Sequence, residues 1–216
     1  MSSRPPSGDP SPPPDPSPGD STAGGDLGLA ALIRDRGAVL IDALERHLPG
    51  ARDHAEATGA YAFAVAVELD GGRSRAELVR EAAKLHDVGR VYVPVEVLTR
   101  DPAALDASER AQLDAHHEAG YRLARGAGIP ERACGWILRF RERFDGAGPE
   151  KLNADGIPIE SRIARVACAC HEALAEADGG DRRAAATAAL RERAGGELDP
   201  RVVDALATVL GRAGPG

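Results

Sequence analysis

The chain has 216 residues, of which 43% are hydrophobic but only 3% aromatic, and a formal net charge of −7. That length supports one domain with a sizeable core or two very small ones. The acidic balance argues against duplex nucleic acid as the main partner, because counterion release needs a concentrated basic surface. Three cysteines, Cys134, Cys168 and Cys170, are too few for a disulfide framework and imply a reducing cytoplasm. The sequence has no 18-residue apolar run, so no membrane span is expected.

Half of the 16 prolines lie in the first 18 residues, and residues 1–25 carry almost nothing apolar. Such a segment cannot bury enough surface to offset the entropy of ordering, and it reads as a disordered, partly polyproline-II tail. It lacks the basic start and apolar run of a secretory signal. Residues 26–212 are expected to form one folded domain.

Alanine dominates this domain and β-branched runs are short, so helix is favoured throughout. Asp26 to Leu48 has apolar residues at spacings of three and four, with Gly37 as a weak point. From Asp53 to Leu69, His54, Thr58, Tyr61, Val65 and Leu69 share a stripe. Ser74 and Glu77 read as a capping box opening a helix that runs to His86 and stops at Gly89. The "VYV" of residues 91–93 reads as a stub of strand, and Ser108 opens a helix that passes His116 and ends near Gly126.

Pro130 opens a short helix containing Trp136, Ile137 and Phe140. A loop rich in glycine and proline separates it from a helix over Ile159 to Ala177. Arg182 to Ala194 and Pro200 to Arg212 complete the chain, the latter capped by Asp199 with proline in the first turn. The expectation is an all-α domain of about seven helices without internal repeats.

Six histidines are present, several at predicted helix ends where side chains from different helices can converge on one pocket. His86 and Asp87 are adjacent. An imidazole supplies a neutral nitrogen donor, and a carboxylate supplies charge and can join two cations.

The order of motifs around that pair resembles the HD superfamily of metal-dependent phosphohydrolases, and in detail its HD-GYP branch of cyclic di-GMP phosphodiesterases. The resemblance covers about residues 50–210. His54, 32 residues before His86, matches the family's upstream histidine. "LHDVGRVYVPVEVLTR" resembles its HD-x-G-K segment, and "HHEAG" places His116 at its next ligand. "RERFDGAGP", "IPIESRIARVACA" and "GGELDPRVV" resemble its later landmarks in the right order.

The resemblance implies His54, His86, Asp87 and His116 as metal ligands, with Asp87 at the centre of any catalysis. Other positions depart from the pattern. The family's paired histidines fall on Phe140 and Arg141, its late aspartate on Cys168, and a second aspartate on His171. An acidic ligand found in some members falls on Gly50, and the tyrosine of G-Y-P is missing before Pro149. Phenylalanine cannot coordinate, and a guanidinium about 5 Å from a divalent ion is opposed by about 7 kcal/mol at an effective dielectric of about 20, unless it swings outward.

At most one divalent ion (Zn²⁺, Mn²⁺ or Fe²⁺) is therefore expected. Cys168 is the candidate fourth ligand, and its thiolate would favour Zn²⁺. Arg90 stands where the family has a phosphate-contacting lysine, and Arg141 offers a planar set of donors. Both are candidate binders of a cyclic dinucleotide or another phosphate ligand. The leading expectation is a degenerate HD-GYP domain acting through a bound nucleotide or a protein partner. The alternatives are an active single-metal phosphohydrolase and a non-catalytic helical interaction domain.

Overall fold

The computed structural model describes residues 23–69, 71–178 and 180–212. Their regular secondary structure is all helix, with no strand among them beyond an isolated bridge between Ala194 and Leu198. Most of the expected tail lies outside the described residues. Residues 23–25 do not belong to a tail, because the first helix, α1 (Ala23–His47), already includes them.

α2 (Ala51–Glu68) starts after Gly50, whose φ of 92° is left-handed. No N-cap side chain is available there, so the Glu45 carboxylate accepts hydrogen bonds from the Gly50 and Arg52 amides at 3.1 and 2.8 Å. α3 (Gly72–Ala83) begins before the expected Ser74 cap. The tight α2–α3 connection sets this start. Gly71 donates to the Ala66 carbonyl at 2.9 Å, and a Cβ on Gly71 would stand 2.7 Å from that oxygen.

α3 also ends sooner than expected, and its chain turns through Leu85, His86 and Asp87 into a 3₁₀ segment, Val88–Tyr92. That segment replaces the expected strand stub at 91–93. Gly89 is required here by close approach, since a Cβ would overlap the His116 carbonyl and lie 2.5 Å from the Gly120 amide. The short α4 (Val95–Leu98) leads to α5 (Ala107–Asp114), which Asp106 and Glu109 open with a reciprocal capping box. The single helix expected from Ser108 is thus two, since α6 (His116–Gly126) restarts after Ala115. α7 (Glu131–Leu138) runs into a 3₁₀ turn at Arg139–Arg141. α8 (Ile159–Glu176), α9 (Arg182–Arg193) and α10 (Pro200–Arg212) follow.

Two large apolar clusters form most of the core, beside a small third one of Val93, Val97 and Leu105, and α3 belongs to both large ones. Its Ala76, Val79 and Ala83 pack with α2, α8, α9 and α10, while Leu78 and Ala82 pack with α1, α6 and α7. A helix buried on two sides must end between the two clusters, and that is where His86 and Asp87 emerge.

Candidate metal centre and adjoining basic pocket

His86 is 1% exposed and Asp87 5% exposed, at the turn after α3. The His86 Nδ1 lies 2.8 Å from the Ala83 carbonyl, which can only accept, so Nδ1 carries a proton and donates. This leaves Nε2 facing the site. α2 brings His54 Nε2 to 3.2 Å from His86 Nε2, and α8 brings the Cys168 sulfur to 3.6 Å from His54 Nε2. Asp87 Oδ2 stands 3.3 Å from His86 Nε2 and 3.7 Å from His54 Nε2. His54, His86 and Cys168 form a compact set of potential donors from three separate segments.

These separations can be compared with the edges of a coordination tetrahedron. With metal–nitrogen bonds of about 2.05 Å and metal–sulfur bonds of about 2.3 Å, neighbouring donors lie about 3.3 Å (N to N or O) and about 3.6 Å (N to S) apart. The donor set therefore fits one small soft cation in both spacing and chemistry. In the apo form the charges balance differently. Burial alone would lower His86, but the Asp87 carboxylate and the Cys168 sulfur outweigh it and hold the imidazole up at about 10. Burial, then the charge on His86, pushes His54 down to about 4.

Two further contacts were not assigned roles by the sequence reading. His54 Nδ1 faces His171 Nδ1 at 2.9 Å, and the Cys168 thiol lies 3.5 Å from Glu172 Oε1. The sequence signals were the family aspartate positions that fall on Cys168 and His171, and the spacing of 168, 171 and 172, which puts all three on one face of α8. Cys170, by contrast, is a core thiol that burial pushes up to about 12.

The second half of the expected ligand set is arranged differently. His116 Nε2 points at the other carboxylate oxygen of Asp87, at 3.4 Å, and lies outside the His54–His86–Cys168 group. Arg90 Nε sits 3.0 Å from that same oxygen without hydrogen-bond alignment. His116 Nε2 and Asp87 Oδ1 are both buried without a hydrogen-bond partner. Phe140 is 3% exposed, with its ring 4.5 Å from that of His86 and under the Arg165 guanidinium at 5.5 Å. Arg141 pairs with Asp114 at 3.2 Å.

Arg141 lines a cavity of about 510 Å³, together with His117, Arg143, Lys151, Arg165 and the 147–149 loop. Phe140, its ring tilted against that of His86 and under Arg165, thus contacts both the donor group and a residue of this basic pocket. Among the described residues no helix is long and apolar enough to cross a membrane.

Comparison with known proteins agrees with this geometry. The cyclic di-GMP phosphodiesterase response regulator RpfG of Xanthomonas campestris is 36% identical over 157 residues, which is 69% of this chain and 40% of that protein. The 3′3′-cGAMP-specific phosphodiesterase 2 of Vibrio cholerae is 30% identical over 131 residues, 59% of this chain and 25% of that protein. The chain thus spans two fifths or less of these curated relatives.

Among solved structures, the HDG"Y"P protein Bd1817 of Bdellovibrio bacteriovorus shares the fold with a TM-score of 0.63 at 16% identity, over 88% of this chain and 62% of that one. The HD domain of the L. monocytogenes phosphodiesterase PgpH, in complex with cyclic-di-AMP, has a TM-score of 0.60 at 15% identity, over 81% of this chain and 96% of that one. Residues 38–202 match the HD-domain family, and the chain belongs to that family, related to cyclic di-GMP and cGAMP phosphodiesterases.

Proposed function

We propose that this HD domain holds one soft divalent cation through His54, His86, Asp87 and Cys168. We further propose that it binds a phosphate-bearing nucleotide of the cyclic-dinucleotide kind beside that cation, with hydrolysis lost or greatly reduced. The observation that carries this is the convergence of His54, His86 and Cys168 from three segments at separations near the edges of a tetrahedron, with one Asp87 oxygen 3.3 Å from His86 Nε2. A cation held there would add positive charge beside a bound phosphate.

The chain's own residues do the remainder. Were Asp87 to join His54, His86 and Cys168, the shell would be closed, whereas hydrolytic sites keep one position open. On the far side of Asp87, Arg90 already places a guanidinium against Oδ1, and Phe140 offers no donor where a further ligand would stand. A second cation there would meet a positive charge and an apolar ring. Arg90 and Arg141 supply planar donors for the phosphate instead. Relatives and neighbours named for cyclic di-GMP, cGAMP and cyclic-di-AMP support this ligand class.

The test combines metal analysis with an assay of cyclic di-GMP. About one Zn²⁺ per chain, nucleotide binding and negligible turnover are the expected results. Steady hydrolysis that stops in His86→Ala would overturn the non-hydrolytic part. A second reading, an active single-metal phosphohydrolase, is favoured by the orphaned pair Asp87 Oδ1 and His116 Nε2. Buried polar atoms without partners are costly and often await an occupant. That same hydrolysis result would select it.

A further inference from the structure

The basic pocket is assembled from four separate segments. His117 comes from α6, Arg141 from the 3₁₀ turn after α7, Lys151 from the loop before α8, and Arg165 from α8. Its cavity of about 510 Å³ falls in the range of small-molecule sites, about 300–1,000 Å³.

Its charges do not cancel. Arg143 is held by Asp145, Arg141 touches Asp114, and Arg165 and Arg193 share Glu197. Lys151 has no ion-pair partner among the described residues. Among the residues that line the cavity, four cations (Arg141, Arg143, Lys151 and Arg165) meet two carboxylates, Asp114 and Glu197. The nearby Glu142 carboxylate is engaged by the Glu150 and Leu152 amides. Burial, then the neighbouring Arg165, lowers the pKa of Arg141, the electrostatic signature of crowded guanidiniums.

His117 supplies the second, independent observation. It is 5% exposed, lines the cavity, and neither ring nitrogen has a hydrogen-bond partner. Whichever ring nitrogen carries the proton, its N–H meets no acceptor among the described residues. A buried, unpaired donor in a pocket with surplus positive charge lacks an anionic acceptor.

We infer that this pocket is a receptor for a terminal phosphate, a phosphomonoester presented to His117, Arg141, Lys151 and Arg165. Donors arriving from four segments suit a group with three free oxygens better than a diester, which has two. The inference deepens the phosphate-binding half of the proposed function and rests on it, while requiring nothing of the cation. The ligand is a linear nucleotide end or free phosphate, which share this chemistry.

Titration calorimetry on the full chain tests it, with and without prior chelation. The probes are inorganic phosphate, guanosine 5′-monophosphate and cyclic di-GMP. The monophosphate is expected to bind in both metal states. A lower affinity for inorganic phosphate assigns a nucleotide end, and equal affinities assign the free anion. Lys151→Asn, with a residue that tolerates the left-handed φ of 60° at that position, and Arg141→Gln should each weaken monophosphate binding about tenfold. Arg100→Gln, a cation lost on another face, should not.

Wild-type affinity in both pocket variants, or binding that disappears on chelation, overturns the inference. Cyclic di-GMP binding without monophosphate binding also overturns it, yet leaves the proposed function standing. Failure of every probe removes both.

Discussion

Cys168 is buried beside two imidazoles, and burial raises its thiol above the ordinary cysteine range. Its donor character is the reason to expect Zn²⁺ or Co²⁺ over harder ions. Cys168→Ala should remove most bound zinc and abolish the thiolate-to-metal charge-transfer band of the cobalt-loaded protein. Cys168→Asp should shift preference toward Mn²⁺ or Fe²⁺. His171 acts one step further out. If His54 offers Nε2, its Nδ1 must carry the proton and donate to His171 Nδ1 at 2.9 Å. Removing such a partner lowers metal affinity about 10–100-fold. His171→Ala should therefore weaken zinc binding in a chelator competition while keeping the cobalt band, and His171→Asn should restore most of the affinity. Wild-type affinity in the alanine variant would show that the contact orients nothing. The His86–Asp87 pair stood out because its members are adjacent, and Cys168 because the position of the family's late aspartate falls on it. The His54–His171 contact spans 117 positions, and only the packing of α2 on α8 creates it.

At the scale of elements, helices were legible where apolar spacing persisted, and their ends were not. Ser74 looked like a cap, but the start of α3 is fixed by the two-glycine turn against Ala66. Nothing in the sequence marks the break at Ala115, where the His116 ring takes the Leu113 carbonyl. The glycine at 89 was seen as a stop signal, whereas its role is to let the 3₁₀ segment touch α6. Glu197 shows an element-level tie of a different kind. It joins Arg165 of α8 to Arg193 of α9, with the Arg193 contacts at 2.9 and 3.1 Å. Partial burial alone would raise its pKa, but the hydrogen bond from Arg193 and the charge of Arg165 outweigh it and hold the carboxyl at about 2. A folded pKa below the ordinary 4.5 means that the ionised form stabilises the fold. That contribution is complete above about pH 4.5 and disappears as pH falls toward about 2. Glu197→Gln should thus be less stable than wild type in urea at pH 7. The gap should narrow steadily between pH 4.5 and pH 2, since the other carboxyls titrate alike in both proteins. A gap independent of pH would mean that Glu197 matters for packing alone.

Over the whole molecule, the four donors reach the centre from α2, from the turn ending α3 and from α8, the elements that carry the larger apolar cluster. α3 also packs into the second cluster, so fixing its end constrains both. A cation that binds only the folded arrangement stabilises it by RT ln(1 + [L]/Kd), about 2.7 kcal/mol at a hundredfold excess over Kd. For a chain of this size that corresponds to a rise in Tm of about 5–10 °C. Zinc at such an excess should produce this shift as a single transition, and magnesium, which prefers oxygen donors, should not. In Cys168→Ala the shift should shrink to a small remainder, while the metal-free melting temperature changes only by the loss of one buried sulfur. Equal shifts in wild type and Cys168→Ala would place the zinc elsewhere on the surface. A shift confined to one of two separate transitions would show that α3 does not couple the two clusters. The comparison thus tests, in one melting series, both the donor set and the central position of the helix that presents His86 and Asp87.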